Sequence, residues 1–172
     1  RCVTIQLEWK KSCLILTYLT LVCFCGFRFF VGNDYAGYVK HFSLISIYEE
    51  NVIFIEPGYY ALNLLFKWSP VGYFYVFFIA TALSYFFILR QLCYERILKW
   101  GIFSLVSLGC LIWMNDIIRQ GIAFSIFIYS LRYMKKGDFL SYFICVAIAC
   151  LFHYSAVVLL FFYFLLLFKT KF

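Results

Sequence analysis

The chain has 172 residues, of which 66% are hydrophobic, 24% aromatic and 13% charged, with a formal net charge of +7. Soluble domains carry about 25% charged and about 45–50% apolar residues, so a soluble fold of this length has too little interior for its apolar side chains. Nor do the lysines and arginines form a basic stripe interleaved with aromatics, so no nucleic-acid partner is expected. The apolar residues come in continuous runs rather than in alternation, which favours helices over a β-barrel. The expected fold is all-α: one integral membrane domain over residues 1–172, a polytopic transmembrane helix bundle of about five to six segments.

The first apolar run extends from Leu14 to about Phe30. At its end comes FRFFVGNDYAGYVKHF, Phe27 to Phe42, where charge and aromatic side chains arrive together. Gly32, Asn33 and Asp34 read as a turn, with Asp34 as the N-cap of a resumed helix. Tyr35 and Tyr38 then share one face. Arg28 has two readings: an interfacial anchor with its stem along lipid, or part of a sugar and phosphate pocket with Asp34 and the tyrosines. A tyrosine offers a flat apolar face to a pyranose ring and a hydroxyl to its oxygens.

EPGYYALNLLFKW, Glu56 to Trp68, reads as a short interfacial or re-entrant helix. Pro57 suits its first turn and Glu56 its positive end, with Tyr59, Leu62, Leu65 and Phe66 as an apolar stripe. A second span covers Val71 to Leu89 and a third Trp100 to Met114. NDIIRQ, Asn115 to Gln120, opens a fourth, Ile117 to Leu131. Here Asp116 and Arg119 are spaced to pair on one helical face; alternatively Arg119 points inward, where its planar fork can grip a phosphate. The last run, Phe139 to Phe168, is about 45 Å long as one helix, against a hydrocarbon core of about 30 Å. It either tilts strongly or breaks near His153, a residue that reads as a hydrogen-bonded core group or as a base working near neutral pH.

Basic residues orient the spans. Arg1, Lys10 and Lys11 precede the first, Arg90, Arg96 and Lys99 separate the second from the third, and Arg132, Lys135 and Lys136 follow the fourth. The 28–70 segment spreads Arg28, Lys40 and Lys67 among Asp34, Glu49, Glu50 and Glu56. The N-terminus is therefore expected in the cytoplasm, with the 28–70 loop and the Asp116 turn on the outer side. Cys13, Cys23, Cys25, Cys110, Cys145 and Cys150 fall within or beside spans and Cys93 in a cytoplasmic loop, with no metal spacing or disulfide framework. They read as inert buried thiols. No DxD, HExxH, GxSxG or Walker loop is present.

The order of motifs resembles the EpsG family: an arginine closing the first span, GNDYAGY, EPGYYALN, RQGIA opening a span, and FHYSA, together covering Arg28 to about Leu160. The resemblance implies a Wzy-like repeat-unit polymerase of exopolysaccharide or O-antigen production in the bacterial inner membrane. A glycan on undecaprenyl pyrophosphate would be transferred onto another lipid-linked repeat, without cofactor or metal. Partners would be that lipid-linked glycan, membrane lipid and other polysaccharide-assembly proteins. Family members are usually longer, so a fragment is expected. Under this reading Arg28 and Arg119 hold pyrophosphate, Asp34 is the first candidate base and His153 the second. Tyr35, Tyr38, Glu56, Tyr59 and Gln120 position sugars. A flippase or transporter of the same lipid, or an assembly partner without chemistry, remains the alternative.

Overall fold

The computed structural model describes residues 2–47 and 55–169, with side chains over 11–45 and 55–165. Arg1, Glu49 and Glu50, and the side chain of Lys10, lie outside them. Among the described residues the chain is all-helical, with no strand. The elements are α1 (Cys2–Gly26), α2 (Tyr35–Ile47), α3 (Pro57–Leu65), α4 (Gly72–Tyr94), α5 (Leu98–Ser107), α6 (Cys110–Asp116), α7 (Ile118–Lys136), α8 (Phe139–Phe152), a 3-10 helix (Tyr154–Leu159) and α9 (Leu160–Lys169).

The spine is α4, which packs against α1 on one side and α7 on the other, while α7 packs in turn on α8. Its buried face includes Gly72, Ala80, Thr81 and Ser84, and that of α7 includes Gly121, Ala123, Ser125 and Ser130. Such small residues let helix backbones approach closely, as they do where lipid supplies no hydrophobic drive for association. The serine hydroxyls of α7 cost nothing in this seam, because Ser125 and Ser130 donate back to the carbonyls of Ile122 and Phe127, each at 2.7 Å. Around the seam lie Leu21, Val22 and Cys25 of α1 against Tyr85 and Leu89. Tyr142 and Val146 of α8 pack against Tyr163.

Large apolar side chains also stand on the outer surface. Phe24, Phe29, Trp100, Phe103, Ile112 and Phe161 are all exposed. Among the described residues α4 is long and apolar enough to cross a membrane by itself, and α5 with α6 passes the same test as a bent pair. The expected third span is thus not one rod: α5 and α6 meet at 67°, because Gly109 takes a left-handed φ of 67° that opens the helix ladder. The first helix also stops earlier than its apolar run, at Gly26, leaving Arg28 in the following loop.

At the Tyr94 end of the spine α4 and α7 are tied by polar contacts. Arg132 Nε donates to Gln91 Oε1 at 2.9 Å, and its guanidinium lies over the Tyr129 and Tyr94 rings at 3.9 and 4.8 Å. Lys135 pairs with Glu95 at 2.6 Å. Replacing Arg132 with alanine is expected to lower stability by about 1–3 kcal/mol, from the charge-assisted bond and the ring contacts together. Thermal unfolding of the detergent-solubilised protein reads this loss.

Candidate functional site

Polar side chains converge at the other end of α4, where α2, α3, α7 and the end of α8 meet. Pro57 at the first position starts α3, and Glu56 precedes it with extended backbone. The Glu56 side chain does not cap its own helix. It reaches instead into the bundle, where its carboxylate is shared. Oε2 accepts from Arg119 Nη1 at 2.6 Å, and Oε1 lies 3.1 Å from His153 Nδ1. Its side chain is 5% exposed, against 26% for Arg119 and 23% for His153.

Two features bring His153 to that carboxylate. The run after Phe139 breaks there, with φ −157° and ψ 114° at His153, and the chain continues as a 3-10 helix. The break turns the imidazole out of the α8 face and settles the alternatives for this run in favour of separate limbs. The second feature is Gly58, the second residue of α3. A Cβ there would stand 2.8 Å from the Leu151 carbonyl oxygen, so only glycine lets α3 lie this close to the end of α8.

The hydrogen bonds also fix the tautomer. A carboxylate only accepts and an amide nitrogen only donates. With Glu56 on Nδ1 and Gln120 Nε2 at 3.0 Å from Nε2, neutral His153 carries its proton on Nδ1 and presents a lone pair at Nε2.

Arg119 lies beside a pair of aromatic rings, 5.9 Å from the Tyr38 centroid and 5.8 Å from that of Tyr59. It does not pair with Asp116, as its spacing allowed. Asp116 instead accepts from the backbone N–H of Asn33, and Arg28 Nη1 donates to the Asn115 carbonyl. The loop after α1 is therefore pinned to the end of α6. Gly32 makes this possible: its φ is 96°, and a Cβ would run into the Asp116 carboxylate.

Arg28 is 4% exposed, with its guanidinium 4.6 Å from the Phe77 ring. Among the described residues it has no carboxylate within ion-pair distance, and its Nε has no partner. Burial draws its pKa below the ordinary arginine value, with Tyr38 the largest opposing influence. Burial raises the Tyr38 phenol, which Arg119 partly offsets.

Of the expected residues, Glu56, Arg119, Gln120 and His153 form one connected set, with Tyr38 and Tyr59 beside it. Arg28 and Tyr35 are buried one layer away, Tyr35 ringed by Phe29, Phe30 and Phe77. Asp34 sits where a cap belongs, its carbonyl accepting from Tyr38 N–H at 3.0 Å. Its side chain is exposed, and no described hydrogen bond or ion pair joins its carboxylate to the set. The stripe expected on α3 is also shifted: Leu65 is exposed, and the buried positions are Tyr59, Leu62 and Asn63. Cys13 and Cys23 are likewise exposed rather than buried, while Cys25 is buried.

His41 was not among the candidates. It feels the charges of Arg119 and Glu56, its pKa is lowered first by burial and then by Arg119, and its Nδ1 is buried without a partner. Three positions after Tyr38 on one helix, it is on the same face, and that spacing was the available signal. No group of His, Cys, Asp and Glu among the described residues is arranged to hold a metal.

The geometry thus offers an imidazole whose Nε2 lone pair is held by the Gln120 amide, a carboxylate that orients it, and an arginine partly open to solvent. Gly58→Ala is expected to push α3 from α8, costing about 1–3 kcal/mol as overpacking does and separating Glu56 from His153. Thermal unfolding measures the first effect, and the 15N shifts of labelled His153 report the second. Glu56→Gln strips Arg119 of its counter-charge in a half-buried setting. A loss of about 2 kcal/mol is expected, read in the same melts.

The family model described as the EpsG family matches residues 11–172. No curated protein and no solved structure matches the chain.

Proposed function

The chain belongs to the EpsG family of exopolysaccharide-related membrane proteins, and from that premise we propose that it is a polytopic inner-membrane enzyme that polymerises lipid-linked repeat units. The N-terminus lies in the cytoplasm and the Glu56–Arg119–His153 set faces outward, in line with the distribution of basic residues. The observation that carries the reading is His153, held by a buried carboxylate beside an arginine at the break in an otherwise apolar run. Ionisable groups at membrane depth are costly and mark functional sites. These gather at one end of the bundle, as a reaction site does, rather than along its depth, as a carrier's path would require.

In the proposed reaction His153 Nε2 takes the proton of a sugar hydroxyl on the acceptor repeat. That oxygen forms a bond to the anomeric carbon of the donor, and the carbon–oxygen bond to undecaprenyl pyrophosphate breaks. Glu56 holds Nδ1–H and stabilises the imidazolium that forms. Arg119 steadies the charge developing on the departing pyrophosphate. Gln120, which faces Nε2 in this structure, turns to the acceptor hydroxyl when substrate enters. Arg28, a buried cation without a carboxylate partner, adds positive potential at the same end. Tyr38 and Tyr59 offer ring faces to the sugars, and Asp34 stands at the rim.

Cells lacking the gene, complemented with single variants, test this assignment. His153→Asn can still donate to Glu56, so it is expected to insert normally, yet a lost general base costs about 10²–10⁴ in rate. Lipid-linked glycans resolved by length should then show single repeats exposed on the outer face. Arg119→Ala should do the same, whereas Asp34→Asn should keep the ladder of long chains. The opposite pattern for His153 and Asp34 makes Asp34 the base. Repeats trapped on the cytoplasmic face point to a flippase instead.

A further inference from the structure

At the end of α4 remote from the site, α1 and the corner between α4 and α5 enclose a groove of about 890 Å³. Its lining combines two kinds of surface. Leu14, Ile97, Leu98 and Ile102 form an apolar wall, and Lys11, Arg96 and Lys99 supply three cations with no acid among the lining residues. The nearest described acid along the chain, Glu95, is engaged by Lys135 at 2.6 Å and by Gln91 at 2.9 Å. Arg96 itself sits at the corner with φ 59°, and Lys11, Arg96 and Lys99 are all exposed. None of the three has a described ion-pair partner.

We propose that this groove holds an anionic phospholipid, its phosphate on Lys11, Arg96 and Lys99 and an acyl chain along Leu14, Ile97 and Ile102. Charge complementarity selects the occupant. An apolar helix laid in the groove would strip water from three cations and return no counter-charge, an unfavourable exchange. Free phosphate would neutralise them and leave the apolar wall uncovered. A lipid with an anionic head satisfies both surfaces, as basic pockets between membrane helices do elsewhere. The volume is within the range of about 300–1,000 Å³ usual for ligand sites. The inference goes beyond the glycan chemistry proposed above and needs only that the chain be in a bilayer.

Trp100 lines the mouth and is 74% exposed, which provides the probe. The full chain, with Trp9, Trp68 and Trp113 changed to phenylalanine, is reconstituted in phosphatidylcholine vesicles. Brominated phosphatidylglycerol or brominated phosphatidylcholine is then titrated in over the same range of fractions. Phosphatidylglycerol is expected to quench Trp100 at about tenfold lower fraction than phosphatidylcholine, given the attraction that each basic residue exerts on anionic lipid. Arg96→Gln with Lys99→Gln should abolish that preference, whereas Arg96→Lys with Lys99→Arg should retain it, which separates charge from misfolding. Equal quenching by the two lipids overturns the proposal. So does a preference that survives neutralisation, since the anion then binds elsewhere, and so does quenching by neither lipid, which means that protein covers the groove. Glycan polymerisation is not a readout, so the two readings fail separately.

Discussion

The arrangement of this molecule depends on one shared carboxylate. Glu56 is buried, and its two oxygens are divided between Arg119 and His153. A buried charge is tolerated only when paired and hydrogen-bonded, because the cost of leaving it unpaired is several kcal/mol. The pairing therefore fixes three separate pieces of chain at once: the start of α3, the start of α7 and the end of α8. Gly58 lets α3 lie against the Leu151 carbonyl and so allows the distance to His153 to close. The extended backbone at His153 does the rest, turning the ring out of the helix that precedes it.

The bundle that carries this set is built for close approach rather than for hydrophobic drive. Small residues line the α4 and α7 seam, and its serines satisfy themselves on local carbonyls. Each end of α4 has its own polar device. At the Gly72 end the shared carboxylate organises reactive groups, with Arg28 and the pinned loop of Gly32 as a second layer. At the Tyr94 end Arg132, Gln91, Glu95 and Lys135 are linked between α4 and α7, while on the α1 side Lys11, Arg96 and Lys99 share a groove with no acid among its described lining residues. The same helix thus separates a site organised around a shared carboxylate from a groove whose described charged lining is basic.

The structure departs from expectation in elements as well as in partners, the third span breaking into α5 and α6 at Gly109. Arg119, spaced either to meet Asp116 or to point into the bundle, turns to Glu56, because α6 ends at Asp116 and its carboxylate turns to Asn33. Asp34, the first candidate base, stands beside Arg28 and two tyrosines in the chain. The start of α2 leaves its side chain outside while Tyr35 and Tyr38 turn in. Leu65 was placed on the α3 stripe, but the helix ends there and Asn63 occupies the inner position. His41, three positions after Tyr38, shares its helical face by a spacing readable in the sequence.

What the sequence determined by itself was set by local rules. Run lengths and the absence of alternation made the chain helical and apolar outside. Glycine, proline and capping residues marked the turn before Tyr35 and the start of α3, and the excess length of the last run left either a strong tilt or a break near His153. What only the tertiary structure decided was which charges meet. Glu56 and Arg119 are 63 positions apart and Glu56 and His153 are 97 apart. No helical periodicity extends across such separations. Pairing at that range depends on how close α3, α7 and α8 can pack, and Gly58 and the His153 break set that distance only once the helices are assembled.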